Sequence, residues 1–84
     1  MTDTNRLNEM IKKSGYKVSF IAKELNLSPY GFSRKRDNLS EFTPSEINKL
    51  CDILKISKLE DRFSIFFAEE VDGKSTNDEA LQPA

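Results

Sequence analysis

Apolar side chains recur along this chain at helical spacing, and turn signals break the pattern into five segments. Leu7, Met10 and Ile11 fall at i, i+3, i+4 and form one stripe of a first helix, starting after Asp3 or Thr4 and ending at Lys13. Lys12 and Lys13 occupy its last turn, where positive charge suits the helix dipole. Gly15 takes a left-handed conformation cheaply and marks the stop. A second helix is predicted from Val18 to Leu25, with Phe20, Ile21, Ala22 and Leu25 as its packing face. Asn26 follows at a position where a left-handed residue ends the helix, and Leu27 returns to the core. Ser28-Pro29 is the sharpest start signal, a capping hydroxyl followed by a residue suited to the first helical position. The third helix runs through Tyr30 to Lys35 or Arg36. Its one strong inward anchor is Phe32, and Gly31 costs it about 1 kcal/mol against Ala, so tertiary contacts must hold it.

Residues 37–42 read as a loop that Leu39 and Phe42 tack to the core. Thr43-Pro44-Ser45-Glu46 forms a capping box for a fourth helix reaching Leu54, with Ile47, Leu50, Cys51 and Leu54 at i, i+3, i+4, i+7. Ser57-Lys58-Leu59-Glu60 repeats the capping pattern and predicts a fifth helix from Lys58 to Phe67, with Leu59, Phe63, Phe66 and Phe67 on a wide apolar face. Phe63, Ile65 and Phe67 also alternate, as in a short strand. The capping residues favour the helix, since a strand has no use for them. The expected fold is all-α, a compact five-helix domain over residues 1–71, with a short C-terminal strand as the alternative to helix five. The polar residues 72–84 are expected to be a disordered tail.

Composition narrows the chemistry. The 84 residues include one cysteine and no histidine, so an internal disulfide and a Cys/His metal site are both excluded. A domain of this size buries a modest core and gains from a partner. No stretch resembles a signal peptide or a membrane span, which makes the cytoplasm the expected location and a membrane an unexpected partner. Nothing suggests an enzyme: there is no histidine base, Cys51 lies on the apolar stripe of helix four without a basic neighbour in sequence, and no Gly-rich phosphate loop occurs. No cofactor and no small-molecule ligand are expected. The net charge of -1 conceals an asymmetry, because residues 1–36 carry eight basic and three acidic side chains while residues 37–84 carry five and eleven. A chain polarised in this way can offer one positive face to phosphates.

Residues 17–36 meet the demands of a helix-turn-helix: small Ala22 at the helix crossing, Asn26 in the turn, Ile21, Leu25, Leu27 and Phe32 locking the corner, and Ser28 capping the second helix. The segment resembles the helix-turn-helix of the Cro and lambda-type phage repressor family. Ile21-Ala22, Leu25-Asn26-Leu27-Ser28 and Phe32-Ser33 match that family's Leu-Ala, Leu-Gly-Val-Ser and Ile-Ser. The likeness extends over about residues 5–67. It is nearest to very small Cro-like regulators from phages of Gram-positive bacteria, through Phe66-Phe67 and Val71-Asp72-Gly73-Lys74-Ser75-Thr76. The resemblance implies a lambda-repressor-like domain, a transcriptional regulator (a repressor ahead of an activator) binding a palindromic double-stranded operator as a homodimer. The chain departs from the family at Asn26, where Gly is usual, at Val18, where Gln is frequent, and at Pro29 and Gly31, where many members carry polar residues.

Base edges then fall to Tyr30, Arg34, Ser33 and Pro29, with Arg34 suited to guanine and Tyr30 to a thymine methyl or a phosphate. Phosphates fall to Lys17, Ser19, Ser28, Lys35, Arg36, Asn38 and Ser40. The plainer alternatives are that Tyr30 covers the helix crossing and that Lys35 and Arg36 merely solvate a helix end. Four large apolar residues within positions 63–67 exceed what one short helix needs, so Phe63, Ile65, Phe66, Phe67 and Val71 are expected to mediate self-association within a segment spanning about 58–71. A small core able to absorb all four is the alternative. A different functional reading keeps the scaffold but docks it on another phage or host regulator, as an antirepressor or modulator. Pro29, Gly31 and the acidic second half favour that reading, and salt dependence separates the two.

Overall fold

Three of the five helices, the first, third and fourth, begin where a side chain satisfies a free backbone N–H group, and the third and fourth also open on a proline. In the computed structural model, which describes residues 1–68, α1 spans Thr4–Ser14 and opens with the Asp3 carboxylate accepting from the Arg6 N–H. It ends at Gly15, whose φ of 78° is the left-handed stop expected. Helices α2 (Val18–Glu24) and α3 (Pro29–Arg36) follow, then α4 (Pro44–Leu54) and α5 (Leu59–Phe66). The Thr43–Glu46 capping box is complete in both directions. The five-helix, all-α fold therefore stands, and residues 63–66 are helical rather than extended.

The core joins all five helices. Leu7 and Ile11 of α1, Ile21 and Ala22 of α2, Phe32 of α3, Leu50, Cys51 and Leu54 of α4, and Ile65 and Phe66 of α5 are buried together with Leu25 and Ile56. Phe42 bridges two of these elements, with its ring edge-on to Phe32 at 5.8 Å and to Phe66 at 5.9 Å. The N-terminal residues tie the ends of the domain together. The Asp3 N–H donates to the Ile65 carbonyl at 2.7 Å, and the Thr4 hydroxyl donates to the Arg36 carbonyl at 2.6 Å. Asn38, left-handed at φ 67°, exchanges two hydrogen bonds with the Thr2 backbone.

Four expectations need correction. Phe20 does not join the core; it is half exposed and stacks on Tyr16 with ring centroids 5.0 Å apart. Leu39 does not tack down the loop; it stays exposed, and Phe42 is the loop side chain that packs beside Phe32. Ser57 does not cap α5. Ile56 donates its N–H to the Cys51 carbonyl and enters the core, so the helix starts one residue later with Lys58 at the cap position and no side-chain cap bond. The outward face of α5 also differs. Ile65 and Phe66 are buried, while Leu59, Phe63 and Phe67 are exposed. Val71 and the tail 72–84 lie outside the described residues. Among the described residues, no helix is long and apolar enough to cross a membrane.

Candidate nucleic-acid interface

The turn between α2 and α3 is built as the sequence pattern requires. Asn26 sits at φ 59°, a conformation Asn tolerates better than most non-glycine residues. The Leu27 N–H donates to the Ala22 carbonyl at 2.8 Å, which folds the chain back over the α2 C-terminus. Ala22 is fully buried, so the two helices meet closely there. The Ser28 hydroxyl accepts from the Gly31 N–H at 2.9 Å, and a Cβ at position 31 would stand 3.2 Å from that oxygen. Gly31 thus leaves room for the cap, at the expense of intrinsic helix propensity.

With Phe32 fully buried as its anchor, α3 turns Pro29 and Tyr30 to solvent, and Tyr30 is 72% exposed. This removes the alternative in which Tyr30 covers the helix crossing. Arg34 lies one turn further along the same face. Its guanidinium carbon sits 6.0 Å from the Tyr30 ring centroid, and its Nη2 donates to the Leu39 carbonyl at 3.3 Å. Ser33 is half-buried beside it, and its hydroxyl accepts from Arg36 Nη2 at 3.4 Å.

The phosphate candidates divide by what already holds them. Lys17 and Ser19 at the start of α2 are exposed, and neither Lys17 nor Arg34 forms an ion pair among the described residues. Ser28 is exposed; its oxygen is used by the cap, but its hydroxyl proton remains to donate. Ser40 lies in the loop behind Arg34, and its N–H donates to the Arg34 carbonyl. Arg36 folds back along α3, with its guanidinium 5.8 Å from the Phe32 ring and 3.4 Å from Asp37.

Lys35 and Asn38 both have partners within the domain. The Lys35 ammonium donates to both carboxylate oxygens of Glu46, at 2.7 and 2.9 Å, with only 18% and 14% of the two side chains exposed. The pair ties α3 to α4. Burial pushes the Glu46 carboxyl up, but hydrogen bonds from Lys35 and the Thr43 backbone, with the Lys35 charge, outweigh that and hold it below its ordinary value. Asn38 accepts from the Thr2 N–H and donates to the Thr2 carbonyl, which fixes the loop; its second amide proton remains to donate. Sequence reasoning missed Glu46 as a partner of the third helix, because the pair crosses a loop between two helices and leaves no local pattern. It also missed Leu39 as a surface residue adjoining Arg34.

Elsewhere, Leu59, Phe63 and Phe67 share one exposed stripe on α5, with the Phe63 and Phe67 rings 5.5 Å apart, next to Pro44 and Ile47 of α4. Cys51 is buried in the core, and burial raises its thiol above the ordinary value despite the nearby Arg62 charge. The model of the Cro/C1-type HTH DNA-binding domain family matches residues 6–64. No curated protein and no solved structure matches the chain.

Proposed function

The chain belongs to the Cro/C1-type HTH DNA-binding domain family, and on that premise we propose that it binds double-stranded DNA sequence-specifically as a small transcriptional regulator, with α3 in the major groove. The observation that carries this reading is the outward face of α3. Phe32 anchors the helix from behind while exposed Tyr30 and half-exposed Arg34, which forms no ion pair among the described residues, occupy the other side. Exposed Lys17, Ser19 and Ser28, at the starts of α2 and α3, and Ser40, in the loop after α3, serve phosphates. Arg36 joins them by exchanging its exposed partner Asp37, since ion pairs at a surface are weak. Repression needs only occupancy of the operator and is proposed ahead of activation. The resemblance to small phage regulators supports a Cro-like role in the cytoplasm, where bacterial and phage DNA lies.

The exposed α5 stripe supports a homodimer on a palindromic operator, with the recognition helices ~34–36 Å apart, one turn of B-DNA. A stripe of three large apolar side chains left in water is the kind of surface a second copy covers. The second reading, a protein-binding antirepressor or modulator, is favoured by one feature. Exposed Tyr30 on α3 and exposed Leu39 in the loop after it are apolar, while Lys35 is engaged by Glu46.

Selection from random duplexes, followed by affinity measurement at two salt concentrations, tests the proposal. Enrichment of a two-fold site, with log affinity falling against log salt by about 0.9 for each phosphate contacted, supports the regulator. No enrichment, with weak binding equal for all sequences, removes it in favour of the protein-docking reading.

A further inference from the structure

Few outward groups on α3 are available to read a base, and their chemistry is selective. Of its eight residues, Phe32 is buried, Lys35 is held by Glu46, and Arg36 is folded back against Phe32 and Asp37. Pro29, Tyr30, Gly31, Ser33 and Arg34 remain. None carries a carboxamide, the group that takes adenine in a bidentate manner, and none carries a carboxylate, the group that accepts from cytosine N4. The single fork donor not already paired with an acid is Arg34, whose geometry matches guanine O6 and N7. The single large apolar surface on the helix is the Tyr30 ring, which suits the thymine methyl group.

The two are also linked to each other. The Arg34 guanidinium lies 6.0 Å from the Tyr30 ring centroid and is tethered on another side by the Leu39 carbonyl. A residue four positions further along a helix lies about 6 Å along its axis. Successive bases are spaced ~3.4 Å apart, so this separation covers one to two base steps. We infer that Tyr30 and Arg34 form one reading unit for a guanine with a thymine beside it in the major groove, Arg34 taking the guanine edge and Tyr30 the thymine methyl. The inference deepens the DNA-binding reading proposed above and rests on it.

Modified bases test it with the full chain. At the selected site, guanine is replaced by 7-deazaguanine, which removes the N7 acceptor, and the adjacent thymine by uracil, which removes only the methyl group. The first change weakens wild-type binding about tenfold and the second about fourfold. In Tyr30→Ala the uracil effect vanishes and the 7-deazaguanine effect shrinks, because the ring no longer orients the guanidinium. Tyr30→Phe retains both effects, and circular dichroism of each variant verifies the fold. A selected site without adjacent guanine and thymine overturns the inference, as does a selected site that accepts both modified bases without loss; in either case the DNA-binding reading survives. If no sequence enriches at all, the two fall together.

Discussion

The Lys35–Glu46 pair allows two roles for one lysine to be told apart. Replacing Lys35 with Met keeps the aliphatic stem but removes the ammonium that donates to both Glu46 oxygens at 2.7 and 2.9 Å. Removing one partner of a fully buried pair costs about 3–5 kcal/mol, whereas an exposed pair contributes about 0–1 kcal/mol. With 18% and 14% of the two side chains exposed, this pair stands between those limits, and Glu46 keeps its hydrogen bond from the Thr43 N–H. A loss of about 2 kcal/mol is therefore expected. Glu46→Gln, which still accepts from Thr43, should lose less. A double-mutant cycle by urea denaturation should return a coupling of about 1–2 kcal/mol. The pH dependence follows from the depressed Glu46 carboxyl. Its stabilisation is complete above the ordinary value of 4.5 and is lost as pH falls through the lower folded value. The coupling should fade over that acid range. Because Lys35 faces Glu46 and not a phosphate, Lys35→Met should leave the salt slope of DNA binding unchanged. A stable Lys35→Met protein whose slope falls by about 0.9 would refute the assignment.

Three further outcomes follow from burial. Phe32→Ala empties a fully buried site at the centre of the core and should cost about 3–5 kcal/mol, enough to abolish a cooperative thermal transition in a domain this small; a retained transition near the wild-type midpoint would contradict the packing. Phe63→Glu, on an exposed ring, should leave monomer stability within about 0.5 kcal/mol yet reduce self-association in sedimentation equilibrium; an unchanged association constant would remove the α5 stripe as the dimer surface. The buried Cys51 thiol, with its pKa raised, should react with iodoacetamide slowly in buffer and rapidly in urea; fast alkylation of the native protein would show that α4 does not shield it.

Local signals were readable and long-range ones were not. Asp3, Gly15, Asn26, Ser28 and Thr43 act within a few residues of themselves, and each caps or ends its helix as the sequence implied. Ser57 carries the same pattern as Thr43 and fails. The core's demand for Ile56 sets where α5 begins, and that demand originates in α4 through the Cys51 carbonyl. On α5, more apolar positions are available than a single face can hold. Packing of Phe66 on Phe42 and the bond from Asp3 to Ile65 select the inward pair, leaving the stripe through Leu59, Phe63 and Phe67 outside. In the candidate interface, Tyr30 and Arg34 were legible because helical spacing puts them opposite Phe32. The Lys35–Glu46 pair was not legible because charge alone does not say which acid lies across a loop, and Leu39 was misplaced because an apolar side chain is not obliged to be buried.

The most direct test of the central claim is to map where DNA touches the chain. An isotope-labelled protein titrated with its selected duplex should show amide shift changes concentrated at residues 17–19 and 28–40, the start of α2 and the cap, length and following loop of α3. Smaller changes along α5 would accompany dimer formation. Changes confined to α4 and α5, or no changes at the duplex concentrations that shift a gel, would contradict an interface built on α3.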